Sequence, residues 1–149
     1  MSIPYENASS GQRAIDDIQK ILKSFGCNKF ATGTDYETSE IFIQFEHQGR
    51  MISLKANAKG YAAAWLKEHP YSHRMRKNKT QHEQEALKTG ELATFSILRD
   101  WVKGQITAIE IGMLSFDAAF LSHIMLPSGK RVIEELHEKK MLPLLNQAN

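Results

Sequence analysis

The stretch that decides the fold is EIFIQFEHQGRMISLKAN, residues 40–57. Ile41, Ile43 and Phe45 alternate with Phe42, Gln44 and Glu46. Beyond the join His47-Gln48-Gly49-Arg50, Ile52, Leu54 and Ala56 alternate with Met51, Ser53 and Lys55. A period of two in both runs, with glycine at the join, predicts an antiparallel hairpin with one apolar face. NKFATGT, 28–34, reads as a weaker strand beside it. Upstream, Ile15, Ile18, Ile21, Leu22 and Phe25 recur at helical spacing, with Ser9 or Ser10 as cap and Gly26 as stop. Residues 1–9 read as a loosely ordered tail. Downstream, Asn57 caps a helix over 59–69 that packs through Tyr61, Ala62, Trp65 and Leu66, and Pro70 ends it.

The second half carries helical signals only. Thr80-Gln81-His82-Glu83 has the form of a capping box, which predicts a short helix to Lys88 broken at Gly90. A long helix over 92–111 places Phe95, Leu98, Trp101, Val102, Gln105, Ile109 and Met113 near one face, and Gly112 closes it. Ser115 caps a helix containing Phe116, Ala119, Phe120 and Ile124, and LPSG, 126–129, is a turn. A charged helix follows over 131–140, and the last residues dock by Leu142, Leu144 and Leu145 or fray. The fold expected is α+β: an N-terminal helix on a small antiparallel sheet of two or three strands (α-β-β-β-α), then a helical C-terminal half. No linker divides the chain, so one domain is expected over 1–149, with a unit at 1–69, a basic loop at 70–80 and a helical half at 81–149.

The chain has 149 residues, 42% hydrophobic and 24% charged. A chain of that length buries roughly two thirds of its unfolded surface and folds without disulfide or metal. It has no apolar run of the roughly 20 residues a membrane span needs, and it opens on no secretory signal pattern. The lone Cys27 forms no internal disulfide, which points to a reducing, cytoplasmic setting with no membrane partner. The net charge of +2 is unevenly spread. Residues 58–82 hold six cations and one anion, a balance of +5, while the rest holds 13 cations and 16 anions, a balance of −3. Such asymmetry points to an acidic partner.

The basic charge concentrates in KEHPYSHRMRKNKTQHE, 67–83. Arg74, Arg76, Lys77 and Lys79 fall in this loop, with Lys67 and Lys59 on the preceding helix and Lys55 on the strand before it. Cations bind phosphates with release of condensed counterions, and Tyr71 and His73 can stack on unpaired bases. These nine residues are the candidate binding set; the plain alternative is a solvated loop. His69 and His73 have metal-ligand spacing, but Pro70 and Ser72 lie between them, so no helix aligns them. His82 begins the next helix, His123 reads as a helix-surface or core residue, His47 sits at the hairpin turn, and Cys27 reads as a packing residue. No metal, cofactor or catalytic residue is assigned, because glycine-rich phosphate loops, nucleophile elbows and dinucleotide fingerprints are absent. The apolar face of the long helix has surface enough for a homodimer, but core packing uses the same residues.

The helix, three-strand meander and helix resemble the core of the PD-(D/E)xK nuclease family. In that family an acid on the second strand and an acid-spacer-Lys on the third hold magnesium and orient water. Here Lys55 is in register, but Ser53 stands where the acid belongs, and the second strand offers only Glu40 and Glu46 at its ends. The topology also resembles the single-strand annealing proteins of phage recombination systems. KGYAAAWLKEHP and SILRDWVKGQITAIEIGMLSFDAAFLSHIMLPSGKRV are similar to small phage and prophage proteins, some near recombination genes. The resemblance implies a phage-borne protein in a bacterial host cell, acting on DNA metabolism or on host defence. The expected function is a non-enzymatic nucleic-acid-binding accessory protein. The alternatives are an anti-CRISPR-like inhibitor of a host defence nuclease, or a degenerate or active metal-dependent nuclease.

Overall fold

The computed structural model describes residues 3–143. The order is α1 (Gly11–Phe25), β1 (Lys29–Asp35), β2 (Glu40–His47), β3 (Arg50–Asn57), α2 (Ala58–Glu68), α3 (Lys79–Glu110), α4 (Phe116–Phe120), a 3-10 turn (Leu121–His123) and α5 (Val132–Glu138). The fold is α+β, with one antiparallel sheet in the order β1-β2-β3.

The hairpin register follows from the alternation. Phe45 pairs with Ile52, Ile43 with Leu54 and Ile41 with Ala56, which puts all six on one face. The turn consists of Gln48 and Gly49, both at positive φ (50° and 79°), the conformation that matches strand twist in two-residue hairpins. On the opposite face the ring of Phe42 lies over Gly33 of β1, where a Cβ would meet it at 2.2 Å.

Helix α1 covers the apolar face. The Ser10 hydroxyl accepts from Arg13 N–H at 3.1 Å, and Gly26, at φ 102°, forms the left-handed C-cap. Ile18 and Leu22 of α1 join Ile43, Phe45, Ile52 and Leu54 of the sheet and Val102 and Ile106 of α3 in the main core, which Phe120 and Ile124 complete. A second cluster joins Ala62 and Trp65 of α2 to Ala86 of α3.

Four expectations are corrected. Gly90 does not break a helix: α3 runs unbroken through it for 32 residues. Gly90 is buried where α2 crosses, and a Cβ there would sit 2.6 Å from Ala58 O and 3.2 Å from Ala62 N. The glycine serves close helix approach, not chain reversal. The helix also starts two residues early. Asn78 Oδ1 accepts from Gln81 N–H at 2.8 Å and Gln81 Oε1 from Asn78 N–H at 2.9 Å, so the capping box is Asn78–Gln81 and Lys79 and Thr80 are already helical. Ile124 lies outside any helix. After five residues of α4 and the 3-10 turn it bridges Ile52, and Met125 N–H donates to Met51 O at 2.8 Å, which covers the outer edge of β3. Residues 3–9 are no loose tail. Ile3 packs on the second cluster, Tyr61 Oη donates to Pro4 O, and Tyr5 Oη donates to Asp100 Oδ2 at 2.6 Å.

Gly112, at φ 76°, follows the end of α3, leaving Met113 beyond it and 69% exposed. At the C-terminus Leu142 is exposed, while Leu144 and Leu145 lie outside the described residues. No helix among the described residues is long and apolar enough to cross a membrane.

Two histidines are set into aromatic surroundings. His47 stacks between Phe25 and Phe116, with ring centroids 4.7 Å from each. His123 meets Trp101 edge-on at 5.6 Å. Both Nδ1 atoms are buried without a hydrogen-bond partner among the described residues. Burial lowers both pKa values from the usual histidine value of 6.5, and Arg50 adds to the effect at His47 and Arg131 at His123.

Two outcomes are expected. Gly90→Ala forces a methyl into the α2 backbone and costs about 1–3 kcal/mol, whereas Gly104→Ala, in open space on the same helix, gains about 0.5–1 kcal/mol from helix propensity. Urea unfolding of both variants checks this, and two stabilising substitutions would refute the contact. The histidines bind protons more readily unfolded than folded. Their contribution is therefore complete above the unfolded value of 6.5 and is lost as pH falls below it toward the depressed folded values. Unfolding free energy measured across this range falls with acidification, and His47→Phe with His123→Phe flattens the slope.

Candidate nucleic-acid interface

The basic loop is fixed by an aromatic clasp. His69, the C-cap of α2, donates its N–H to Trp65 O at 2.8 Å, and its ring lies 4.6 Å from the Trp65 ring. His82, in the first turn of α3, is only 1% exposed and lies 5.1 Å from Trp65 and 5.8 Å from Tyr71. Its Nε2 bonds His69 O at 2.6 Å. A carbonyl only accepts, so this nitrogen carries the hydrogen. Tyr71 Oη donates to Lys77 O at 3.0 Å, which closes the loop on itself. Within it Met75 N–H donates to Ser72 O at 3.0 Å, and the Asn78 cap fixes the exit. From the far side Glu6 pairs with the His69 ring, which ties the N-terminal segment to the same clasp.

The nine candidate residues divide. Arg74, Arg76 and Lys79 are exposed and make no ion pair among the described residues. Lys67, also exposed and unpaired there, is in the last turn of α2 beside the loop. Lys77 pairs with Glu85. An open depression of about 670 Å³ is lined by Met75, Arg76, Lys77, Gln81 and Glu85. Lys59 is exposed in the first turn of α2, so roughly 15 Å of helix axis separates its end from the loop. Lys55 lies on the sheet face opposite the core, before that end, with Nζ 3.9 Å from Glu134. The structure thus gathers Lys67, Arg74, Arg76, Lys77 and Lys79 and leaves Lys55 and Lys59 apart. His73 is exposed. Tyr71 is half-buried, and its ring meets His73 edge-on at 5.6 Å, so it acts first as a fastening of the loop.

Two further sequence features are placed. Among the described residues no three His, Cys, Asp or Glu side chains form a group that could hold a metal ion. Ser53 lies opposite Gln44, whose Nε2 is 3.5 Å from the Ser53 hydroxyl, while Glu46 pairs with Lys29 at 3.2 Å. The clasp residues Trp65, His69 and His82 are absent from the candidate set. For His82 the signal was its place in line with Ala86, Gly90 and Ala93, a run at helical spacing that marks the buried side of α3.

Tyr71→Phe removes the hydroxyl that closes the loop and keeps the ring. A loss of about 1 kcal/mol is expected, with faster tryptic cleavage at Arg74 and Arg76. Cleavage at the unaltered rate would show that the bond does not hold the loop.

The chain matches no protein-family model, no curated protein and no solved structure.

Proposed function

We propose that this protein binds nucleic acid through the loop between α2 and α3, as a non-enzymatic accessory factor of the phage-borne kind. One observation carries the reading. Arg74, Arg76 and Lys79 are exposed and unneutralised among the described residues, on a backbone fastened by Tyr71, Asn78 and His82. Holding three like charges close together is unfavourable in the free protein, and a polyanion relieves it. Fastening also lowers the ordering cost of binding. The first turn of α3 adds to the attraction: it contains no carboxylate, so its positive dipole end is uncompensated next to the same cations. His73 offers an exposed ring for a base, a contact worth about 1–3 kcal/mol by analogy with single-strand binders.

The test is fluorescence anisotropy with single-stranded DNA, duplex DNA and RNA over a range of salt. Affinity falls as salt rises, and replacing Arg74, Arg76 and Lys79 together by alanine makes the logarithmic slope shallower by about two to three units. Absence of binding at low salt, or an unchanged slope in the variant, defeats the proposal. Recovery of a stoichiometric, nuclease-resistant protein complex that the variant loses would instead assign the loop to inhibition of a protein partner.

A further inference from the structure

The two edges of the sheet differ. Along β3 the outer edge is covered: Ile124 bridges Ile52, and Met125 N–H donates to Met51 O. Strand β1 pairs with β2 alone among the described residues, and none of its seven residues is buried.

The alternation of the ladder fixes which backbone groups of β1 are open. Met51 turns its carbonyl away from β2, to Met125, so Glu46, opposite Met51, turns away from β3 and toward β1. There the Glu46 carbonyl accepts from Asn28 N–H at 3.1 Å. Lys29, Ala31, Gly33 and Asp35, opposite Glu46, Gln44, Phe42 and Glu40, therefore bond to β2. Phe30, Thr32 and Thr34 direct their N–H and C=O groups outward, where no partner meets them among the described residues. The strand contains no proline, and its charges, Lys29 and Asp35, stand only at its two ends.

An open edge of this kind is a template for another strand, and this one fits itself. Two copies of KFATGTD, turned antiparallel about a twofold axis at Thr32, set Thr32 opposite Thr32, Phe30 opposite Thr34 and Lys29 opposite Asp35. Each outward residue of either copy then gives and takes one backbone hydrogen bond. Thr–Thr, aromatic–β-branched and opposite-charge pairs are combinations that stabilise antiparallel neighbours. Moving the axis to Phe30 or Thr34 loses the Lys29–Asp35 pairs, and an in-register parallel alignment sets like charges side by side. Both charged ends are accessible. The Lys29 side chain is 69% exposed, 3.2 Å from Glu46. Asp35 uses Oδ1 for the N–H groups of Glu37 and Thr38, while its Oδ2 has no partner among the described residues.

We infer that the β1 edge binds a second copy of this chain, joining two three-stranded sheets into one continuous antiparallel sheet across a twofold axis at Thr32.

Sedimentation equilibrium of the full chain at tens of micromolar, with zero-length carbodiimide crosslinking and mass spectrometry of the peptides, tests this. A dimer is expected, carrying a Lys29–Asp35 crosslink. These residues lie at opposite ends of one strand, roughly 20 Å apart, so that crosslink forms only between copies. Thr32→Pro removes the central outward N–H of each copy and leaves the bonds to β2 in place. It raises the dimer dissociation constant about thirtyfold, with circular dichroism reporting that the fold is kept. Lys29→Glu, an exposed change that faces Asp35 of the second copy with a like charge, raises it about fivefold and is the arm that decides if Thr32→Pro does not fold. A chain that stays monomeric at these concentrations overturns the inference. So does a dimer without the Lys29–Asp35 crosslink that both variants leave intact, because it uses another surface.

Discussion

The approach of α2 to α3 at Gly90 is the constraint on which the binding loop depends. With hydrogen in place of a side chain, the α2 backbone comes within contact of the α3 axis at Ala58 and Ala62. That closeness continues along the pair and lets Trp65 lie on His82. The His82 ring can then reach the carbonyl that ends α2, and Tyr71 closes the chain between the two helices. A larger residue at position 90 would move α2 outward and separate the rings that hold the loop. The surface chemistry of residues 70–79 is therefore set by a packing contact in the interior.

Charge is distributed by the same architecture. On the sheet and the C-terminal elements, cations face acids across strands and helices: Lys29 with Glu46, Arg50 with Asp117, Lys55 with Glu134, Lys130 with Glu138. Such exposed pairs contribute little stability each, but they neutralise these regions of the surface. At the loop, among the described residues, only Lys77 has such a partner. The excess positive charge in the sequence thus becomes a local field at one end of the α2–α3 pair.

What could be read from the sequence follows the range of the interactions. The hairpin and α1 were legible because their signals are local: a period of two around a glycine turn, a helical stripe between a serine cap and a glycine stop. The features that escaped depend on partners distant in the chain. Gly90 carries the signature of a break, and only the crossing of α2 shows why glycine is needed inside a helix. Thr80 and Glu83 satisfy the capping pattern, but Asn78 and Gln81 satisfy it two residues earlier and win the helix start. Ile124 has helical spacing from Phe120, yet the open edge of β3 draws it into a bridge. For the binding site, the cations were visible as composition; their grouping was not, because Lys55 faces α5 and Lys59 sits at the far end of α2.

The N-terminal segment and the Ile124–Met125 bridge to β3 also bear on the order of assembly. The β1-β2-β3 meander pairs neighbours in sequence, so it pays little loop-closure entropy. The Ile52–Ile124 bridge and the Tyr5–Asp100 bond, the latter spanning 95 residues, close large loops. Those closures return free energy only after the elements they fasten are already in place. The meander with α1 is thus the natural nucleus. The N-terminal segment, whose Glu6 pairs with the His69 end of the clasp, joins last. The Glu6–His69 contact then belongs to the late-forming part of the molecule, where local opening requires the least free energy.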